Sequence, residues 1–367
     1  MGSPPAAGVE GITLDELQLA TRNHGLPLEA LRFDVTPVGL HYLLIHYDIP
    51  VVDGDGFRLT VDGAVVHPLS LSLSDLRARP ATEVVATMEC AGNGRAHLSP
   101  RPMSQPWLVE AVGTARWRGL QLRPLLEEAG ISDGAVEVVF TGLDRGVERG
   151  VEQSYQRSLS LGDALADEVL LAYEMNGAPL LPQHGFPLRL VVPGWYGMTN
   201  VKWLTTITAV DRAFDGYQNA FAYRLRADDE DAGTPLTRIQ PRALLVPPGI
   251  PDFHTRARTV EAGACEVEGR AWSGWAPIER VEVSTDGGES WAEATLGPAV
   301  SKWAWRRWTY DWQAEPGEYV LRCRATDAAG NRQPDEPPWN VGGYSNNAAQ
   351  RVPVTVVEHG YDQSAPE

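Results

Sequence analysis

A chain of 367 residues carrying a formal charge of −17 is long enough for two domains. Its acidity argues against nucleic acid or an anionic membrane as partner, because both want a positive surface. Hydrophobic residues at 43% suffice for ordinary cores, and no run of roughly 18 apolar residues could span a bilayer.

The three cysteines, Cys90, Cys265 and Cys323, form no disulfide framework. They form no Cys-x-x-Cys pair either, which argues against zinc ribbons, simple iron–sulfur sites and c-type haem. An export-type N-terminus is also missing from the first eleven residues. A cytoplasmic, reducing setting is the expectation.

In chain order, 57–61 and 83–88 read as strands. A helix is predicted over 120–129, with Gly130 as its stop. Further strands are predicted at 136–140, 188–192 and 201–210. The loops between them are long and rich in glycine, the kind of segment where chemistry sits on a rigid scaffold. The stretch from Pro235 to Pro251 reads as a joint, since proline interrupts helix and sheet and stiffens a linker.

Beyond the joint the composition changes: eight of the twelve tryptophans lie after residue 240. Strands are predicted at 280–284, 319–325 and 351–357. The run Asp286-Gly287-Gly288 supplies a hairpin turn, because glycine permits the positive φ it needs. Tyr319, Leu321, Cys323 and Ala325 alternate onto one apolar face, so Cys323 reads as a packed core thiol. This is the pattern of an immunoglobulin-like β-sandwich. The fold class is therefore α+β, with a mixed α/β domain over 1–238 and a β-sandwich over 239–367.

Chemistry gathers at two loops. Cys90 ends the strand-like run Val84-Val85-Ala86-Thr87-Met88-Glu89 and opens Ala91-Gly92-Asn93-Gly94-Arg95. Two glycines let backbone approach a ligand closely. Arg95 brings a permanent cation that favours the thiolate, a soft ligand for a transition metal. The second loop runs from His184 through Arg189 and the Gly194 turn to Asn200 and Lys202. In an acidic chain, cations around one glycine-marked loop suggest a phosphate cradle.

Taken together these motifs resemble the sulfite oxidase family. Met88-Glu89-Cys90-Ala91-Gly92-Asn93-Gly94-Arg95 is similar to its cysteine loop. Leu170-Leu171-Ala172-Tyr173-Glu174-Met175-Asn176-Gly177, His184-Gly185-Phe186-Pro187 and Val201-Lys202-Trp203-Leu204 resemble its cofactor stretch. In the second half Ala271-Trp272-Ser273-Gly274, Trp303-Ala304-Trp305-Arg306 and Trp339-Asn340 recur in order.

The resemblance implies one pyranopterin-dithiolene molybdenum cofactor in mono-pterin form, with no haem and with Cys90 as the protein ligand to the metal. It implies that His46, Asp144, His184, Arg189, Asn200 and Lys202 hold the pterin and its phosphate. Arg95 would be a substrate-side cation, and Tyr223 or Tyr217 would stand near the metal's oxo group. The second domain would make a homodimer. The reaction implied is oxygen-atom transfer on a small molecule with water as oxygen source. Sulfite to sulfate is the family's nearest reaction, and the electrons would leave to an external acceptor protein.

Two departures bear on the substrate. Leu44 and Ile45 stand where sulfite oxidisers carry Arg-Asn ahead of the histidine matched by His46, and Gly342 stands where they carry another arginine. Burying a dianion without compensating charge is costly. A less charged substrate, such as a sulfoxide or N-oxide, is thus the alternative, and sulfite is expected to bind weakly unless Arg306 or Lys302 supplies the missing charge. Two other classes stay open on the residues alone. One is a metal hydrolase built on His46, His97, His184 and Asp144. The other is a non-catalytic β-sandwich binding protein.

Overall fold

Residues 11–336 and 338–358 are described by the structure, a computed structural model; the N-terminal reading of no export signal falls almost wholly outside them. Among the described residues no helix is long and apolar enough to cross a membrane.

The first half is built on two sheets. One has the spatial order Leu69–Ser72, Arg58–Gly63, Leu204–Val210, Glu137–Glu148, Val151–Ser160. Within it only Arg58–Gly63 and Leu204–Val210 run parallel. The other pairs Thr82–Glu89, Val112–Gln121, Leu170–Met175 and Ala178–Pro179, with Arg189–Val191 also on Leu170–Met175.

Helix Leu122–Ala129 packs between these elements because Leu122, Leu125, Leu126 and Ala129 recur at helical spacing on one buried face. Gly130 ends it at φ 68°, as the sequence led us to expect. Leu59, Val61, Phe140 and Ile207 of one sheet share a core with Leu171 and Leu190 of the other.

The second half is a two-layer β-sandwich. Arg242–Leu245, Gly263–Trp272, Arg306–Ala314 and Thr295–Leu296 form one sheet. The other has the order Ile250–Pro251, Arg258–Glu261, Gln350–Val357, Gly317–Asp327, Ile278–Ser284, Ala292–Glu293. Trp308 and Ala271 from one layer meet Leu321, Cys323 and Val281 from the other, all 0% exposed. Cys323 is thus the core thiol its alternation predicted. Gly287 and Gly288 turn at φ 77° and 107°.

Three expectations need correction. The proline-rich stretch is no free linker: Arg242–Leu245 inside it is a fully buried strand, paired antiparallel with Gly263–Trp272. Pro241 and Pro247 bracket that strand instead of interrupting it. The run expected over 201–210 is a strand only from Leu204. Before it, Asn200 to Trp203 bend into the site, and Trp203 takes a positive φ of 49°. The strand predicted at 136–140 extends to Glu148 and returns as Val151–Ser160. Its polar outer half hid it from a search for apolar alternation.

Candidate active site

Strand Thr82–Glu89 delivers Cys90 to the end of its sheet, where Cys90 N donates to Ala111 O at 2.9 Å. Asn93 folds the loop back: its N donates to Cys90 O, its Nδ2 to Glu89 Oε1 at 3.0 Å, and its Oδ1 accepts from Ala111 N. Glu89 is in turn held from the sandwich side. Arg242 pairs with it at 2.8 Å, both side chains being 2% exposed, and Trp272 Nε1 donates to it at 2.8 Å. Gly92 is required for close approach, since a Cβ there would sit 2.5 Å from the Arg95 guanidinium.

Cys90 opens onto a cavity at the end of its sheet. His46, Asp144, His184, Arg189, Asn200, Lys202 and Tyr223 line it with Cys90. Eight of the nine residues singled out from the sequence thus converge from six separated segments. Leu44 also lines it, as do four residues that sequence reasoning missed: His41, Tyr42, Met88 and Tyr155. His41 and Tyr42 come from a loop without periodicity, so nothing in the sequence marked them. Tyr155 had a signal, the buried alternation of Tyr155, Arg157 and Leu159.

Arg95 is the exception. It is 4% exposed and lies behind the cysteine loop, where Nε donates to Gly342 O at 2.9 Å and Nη1 to Gln105 O at 3.0 Å. It draws the Cys90 thiol toward ionisation, but burial outweighs it and the thiol's pKa is raised. The expectation that Arg95 alone would favour the thiolate is corrected accordingly: a cation closer to the sulfur is needed.

Of the two candidate tyrosines, Tyr223 lines the cavity and Tyr217 is not among its lining residues. Gln218–Ala222 winds as a π-helix, and Tyr223 N reaches back to Gln218 O at 3.2 Å. That wider turn holds one residue more than an α-turn and aims Tyr223 into the cavity, its hydroxyl hydrogen-bonded to His46 Nε2. Tyr217 instead stacks on Phe221 with ring centroids 5.5 Å apart.

The polar groups here lack counterparts. Lys202 Nζ donates to the carbonyls of Leu44 and Gln183 at 2.9 and 3.1 Å. Arg189 donates to those of His184 and Asn200 at 3.1 and 3.2 Å, and its Nε has no partner. Burial lowers the pKa of both, and takes Arg189 to about 10. Burial raises Asp144, against the pull of Lys202, and its Oδ1 is unpartnered. His46 is held down at about 3 by burial and by Lys202, so it is neutral. Burial and neighbouring cations, with His41 beside it, hold His184 far below its ordinary value as well. Asn200 spends its side chain locally, accepting from Val192 N at 2.7 Å.

The second half packs against the cysteine loop. Ser345 N donates to Ala91 O at 2.8 Å, and Asn346 Nδ2 to Gly94 O at 2.6 Å. This places the Tyr344 ring 5.5 Å from that of Tyr223 and 5.2 Å from the Arg95 guanidinium. A Cβ on Gly342 would lie 2.2 Å from the Tyr344 ring, so tyrosine takes the room that a longer side chain at 342 would need. Neither suggested substitute cation is near: Arg306 donates to Gly297 and Ile278 carbonyls, and Lys302 lies over Trp303.

The hydrolase arrangement does not form. Among the described residues no three His, Cys, Asp or Glu side chains group to hold an ion, and His97 lines a different cavity.

The chain is similar to known proteins in sequence and in fold. Residues 46–218 match the oxidoreductase molybdopterin binding domain, and residues 251–357 the Mo-co oxidoreductase dimerisation domain. The chain is 38% identical to the sulfite oxidase of Gallus gallus over 343 residues, covering 88% of this chain and 73% of that protein. It is 37% identical to the mitochondrial sulfite oxidase of Mus musculus, again over 88% of this chain but 62% of that protein. The solved sulfane dehydrogenase SoxCD of Paracoccus pantotrophus superimposes with a TM-score of 0.77 at 26% identity, covering 96% of this chain and 92% of that one.

Proposed function

The chain belongs to the sulfite oxidase family of molybdopterin oxidoreductases, and on that premise we propose that it oxidises a small sulfur compound, with sulfite as the reference substrate, by oxygen-atom transfer with water as the oxygen source. The observation that carries this reading is one cavity uniting Cys90 with two buried cations and an unpartnered carboxylate.

The residues fit a molybdopterin. Arg189 and Lys202, hydrogen-bonded to carbonyls and, among the described residues, ion-paired with no carboxylate, would take the anionic phosphate. Asp144, with a free oxygen, would accept from the pterin's amino groups. His184 and neutral His46 can donate from one ring nitrogen and accept at the other. Cys90 would ligate the metal, whose positive charge supplies what the buried thiol needs to ionise. When bound, the cofactor supplies the two-electron redox chemistry, and the protein contributes binding, orientation and electrostatics.

Tyr223 and His46 share a hydrogen bond beside Cys90, so a proton on the phenol can be held or passed at that oxygen. Tyr155, Tyr223 and Tyr344 exclude bulk water from the substrate side. The electrons would leave to an external acceptor protein, and the sandwich would pair two copies as a homodimer, in line with its match to the dimerisation domain. Three unpaired cysteines suit a cytoplasmic location.

A second reading, a less charged substrate such as a sulfoxide or N-oxide, is favoured by one observation: Leu44 lines the cavity where a cation was expected. The test is metal analysis of purified protein followed by turnover of sulfite, sulfoxides and N-oxides. About one molybdenum per chain with sulfite oxidation supports the first reading. Molybdenum with turnover of only neutral substrates supports the second, and a protein that takes up no molybdenum overturns both.

A further inference from the structure

Seven arginines are buried: Arg95, Arg157, Arg189, Arg242, Arg258, Arg270 and Arg322. They divide by partner. Arg242 meets Glu89, Arg258 meets Glu29, Arg270 meets Asp34 and Arg322 meets Asp335, all at 2.8–2.9 Å. The other three meet carbonyl oxygens and, among the described residues, no carboxylate. Arg189 lines the cavity of Cys90, Arg95 lies behind the cysteine loop, and Arg157 sits against the ring of Tyr223, which lines the cavity. A buried cation without an anion is expensive, so three such cations in one place, in a chain of net charge −17, mark where anions are received. The phosphate of the cofactor accounts for Arg189. Arg95 and Arg157 remain.

Arg157 was not singled out by its sequence. It is two residues beyond Tyr155 on strand Val151–Ser160, hence on the same face, and that face is buried at Tyr155, Arg157 and Leu159. Its guanidinium lies 5.6 Å from the centroid of the Tyr223 ring. Nη1 donates to Gln218 O at 2.6 Å, and Nε has no partner. The series Arg157, Tyr223, Tyr344, Arg95 is thus continuous, with spacings of 5.6, 5.5 and 5.2 Å. Tyr223, its second member, lines the cavity together with Cys90.

We propose that Arg157 stands in for the two absent arginines and receives a sulfur oxyanion on the Tyr223 side of the cavity, with Arg95 adding positive charge from behind the cysteine loop. This rests on the oxygen-transfer reading above and chooses the anionic substrate over the neutral one. Burial lowers the pKa of Arg157, and an anion at this place would restore it. The Tyr344 ring takes the room at Gly342, which leaves the Arg157 side of Tyr223 as the place for the anion.

The test uses the molybdenum-loaded full chain. Calorimetric titration with sulfate, the product oxyanion, gives a Kd without turnover, and steady-state kinetics with sulfite gives KM and kcat separately. Arg157→Gln is expected to raise both the sulfate Kd and the sulfite KM about tenfold to a hundredfold, the worth of one charge-assisted hydrogen bond. Its kcat should change less, and its pterin content should match the wild type. Arg157→Lys keeps the charge and should recover most of the affinity.

Unchanged Kd and KM in a fully loaded glutamine variant would overturn the proposal. Should that variant fail to fold, wild-type protein without millimolar or tighter affinity for sulfate would overturn it equally. A wild type that binds sulfate through Arg157 but leaves sulfite unoxidised would sink the reaction assigned above and leave the anion site standing. Sulfite oxidation that ignores Arg157 would do the reverse.

Discussion

The two halves of the molecule use burial for opposite ends. In the sandwich, Leu321, Cys323, Ala325, Val281 and Trp308 are fully buried in one apolar core. Its buried arginines Arg258, Arg270 and Arg322 all meet carboxylates. Around Cys90, Arg95, Arg157 and Arg189 donate to carbonyl oxygens and, among the described residues, meet no carboxylate. The sandwich neutralises its buried cations within the fold, while the cations near the cavity carry desolvation costs that a bound anion would offset. Buried charges left without a counter-charge are therefore as informative about function as the residues' identities.

The contrast can be broken at the site itself. Cys90→Ser should reduce turnover at least about a hundredfold, more than the loss of groups that merely support a metal ligand. Pterin content measured by fluorescence should persist, because Arg189 and Lys202 hold the other end. Wild-type activity with a full metal load would refute the ligand assignment.

It can also be broken at the seam. Glu89→Gln leaves Arg242 buried without its counter-charge, a loss of about 3–5 kcal/mol. Because Glu89 adjoins Cys90, both Tm and cofactor retention should fall; a Tm unchanged within a degree would show that the seam does not stabilise the loop. Leu321→Ala, in the sandwich core, should cost about 2–5 kcal/mol while molybdenum per folded chain stays at the wild-type level. Loss of metal in that variant would mean the two regions are not energetically separable.

The smallest effect is one of pH. His41 is buried, its Nδ1 lies 3.0 Å from Tyr42 O, and burial holds its pKa at about 4 against the usual 6.5. Between those values the unfolded chain binds a proton that the folded one refuses. Its contribution is therefore complete above pH 6.5 and is lost as pH falls toward 4, by up to about 3 kcal/mol. His41→Gln should flatten this part of the stability profile in urea titrations. A profile of unchanged slope would show that His41 does not titrate against folding.

Much of this was legible beforehand. Helix Leu122–Ala129 declared itself by spacing and by Gly130, the strand Gly317–Asp327 by alternation, and Cys90 by the glycines that follow it. These are local signals, set by backbone preference and side-chain period, and they survive in any context that buries the apolar face. The strand Arg242–Leu245 was hidden by flanking prolines, because whether proline interrupts or brackets a strand depends on where its neighbours pair.

What the amino-acid sequence determined by itself was the class, the order of the elements and the chemical types at the metal and phosphate ends. Only the tertiary structure decided which charges remain unpaired. Arg157 and Arg322 are both buried arginines on strands, each beside an aromatic ring and a carbonyl, but only Arg322 also meets a carboxylate, that of Asp335. The electrostatic value of a charge depends on its distance from others and on how far water is excluded. Both are properties of segments distant in the chain, so only their assembly could reveal that Arg157 is buried without a carboxylate partner among the described residues.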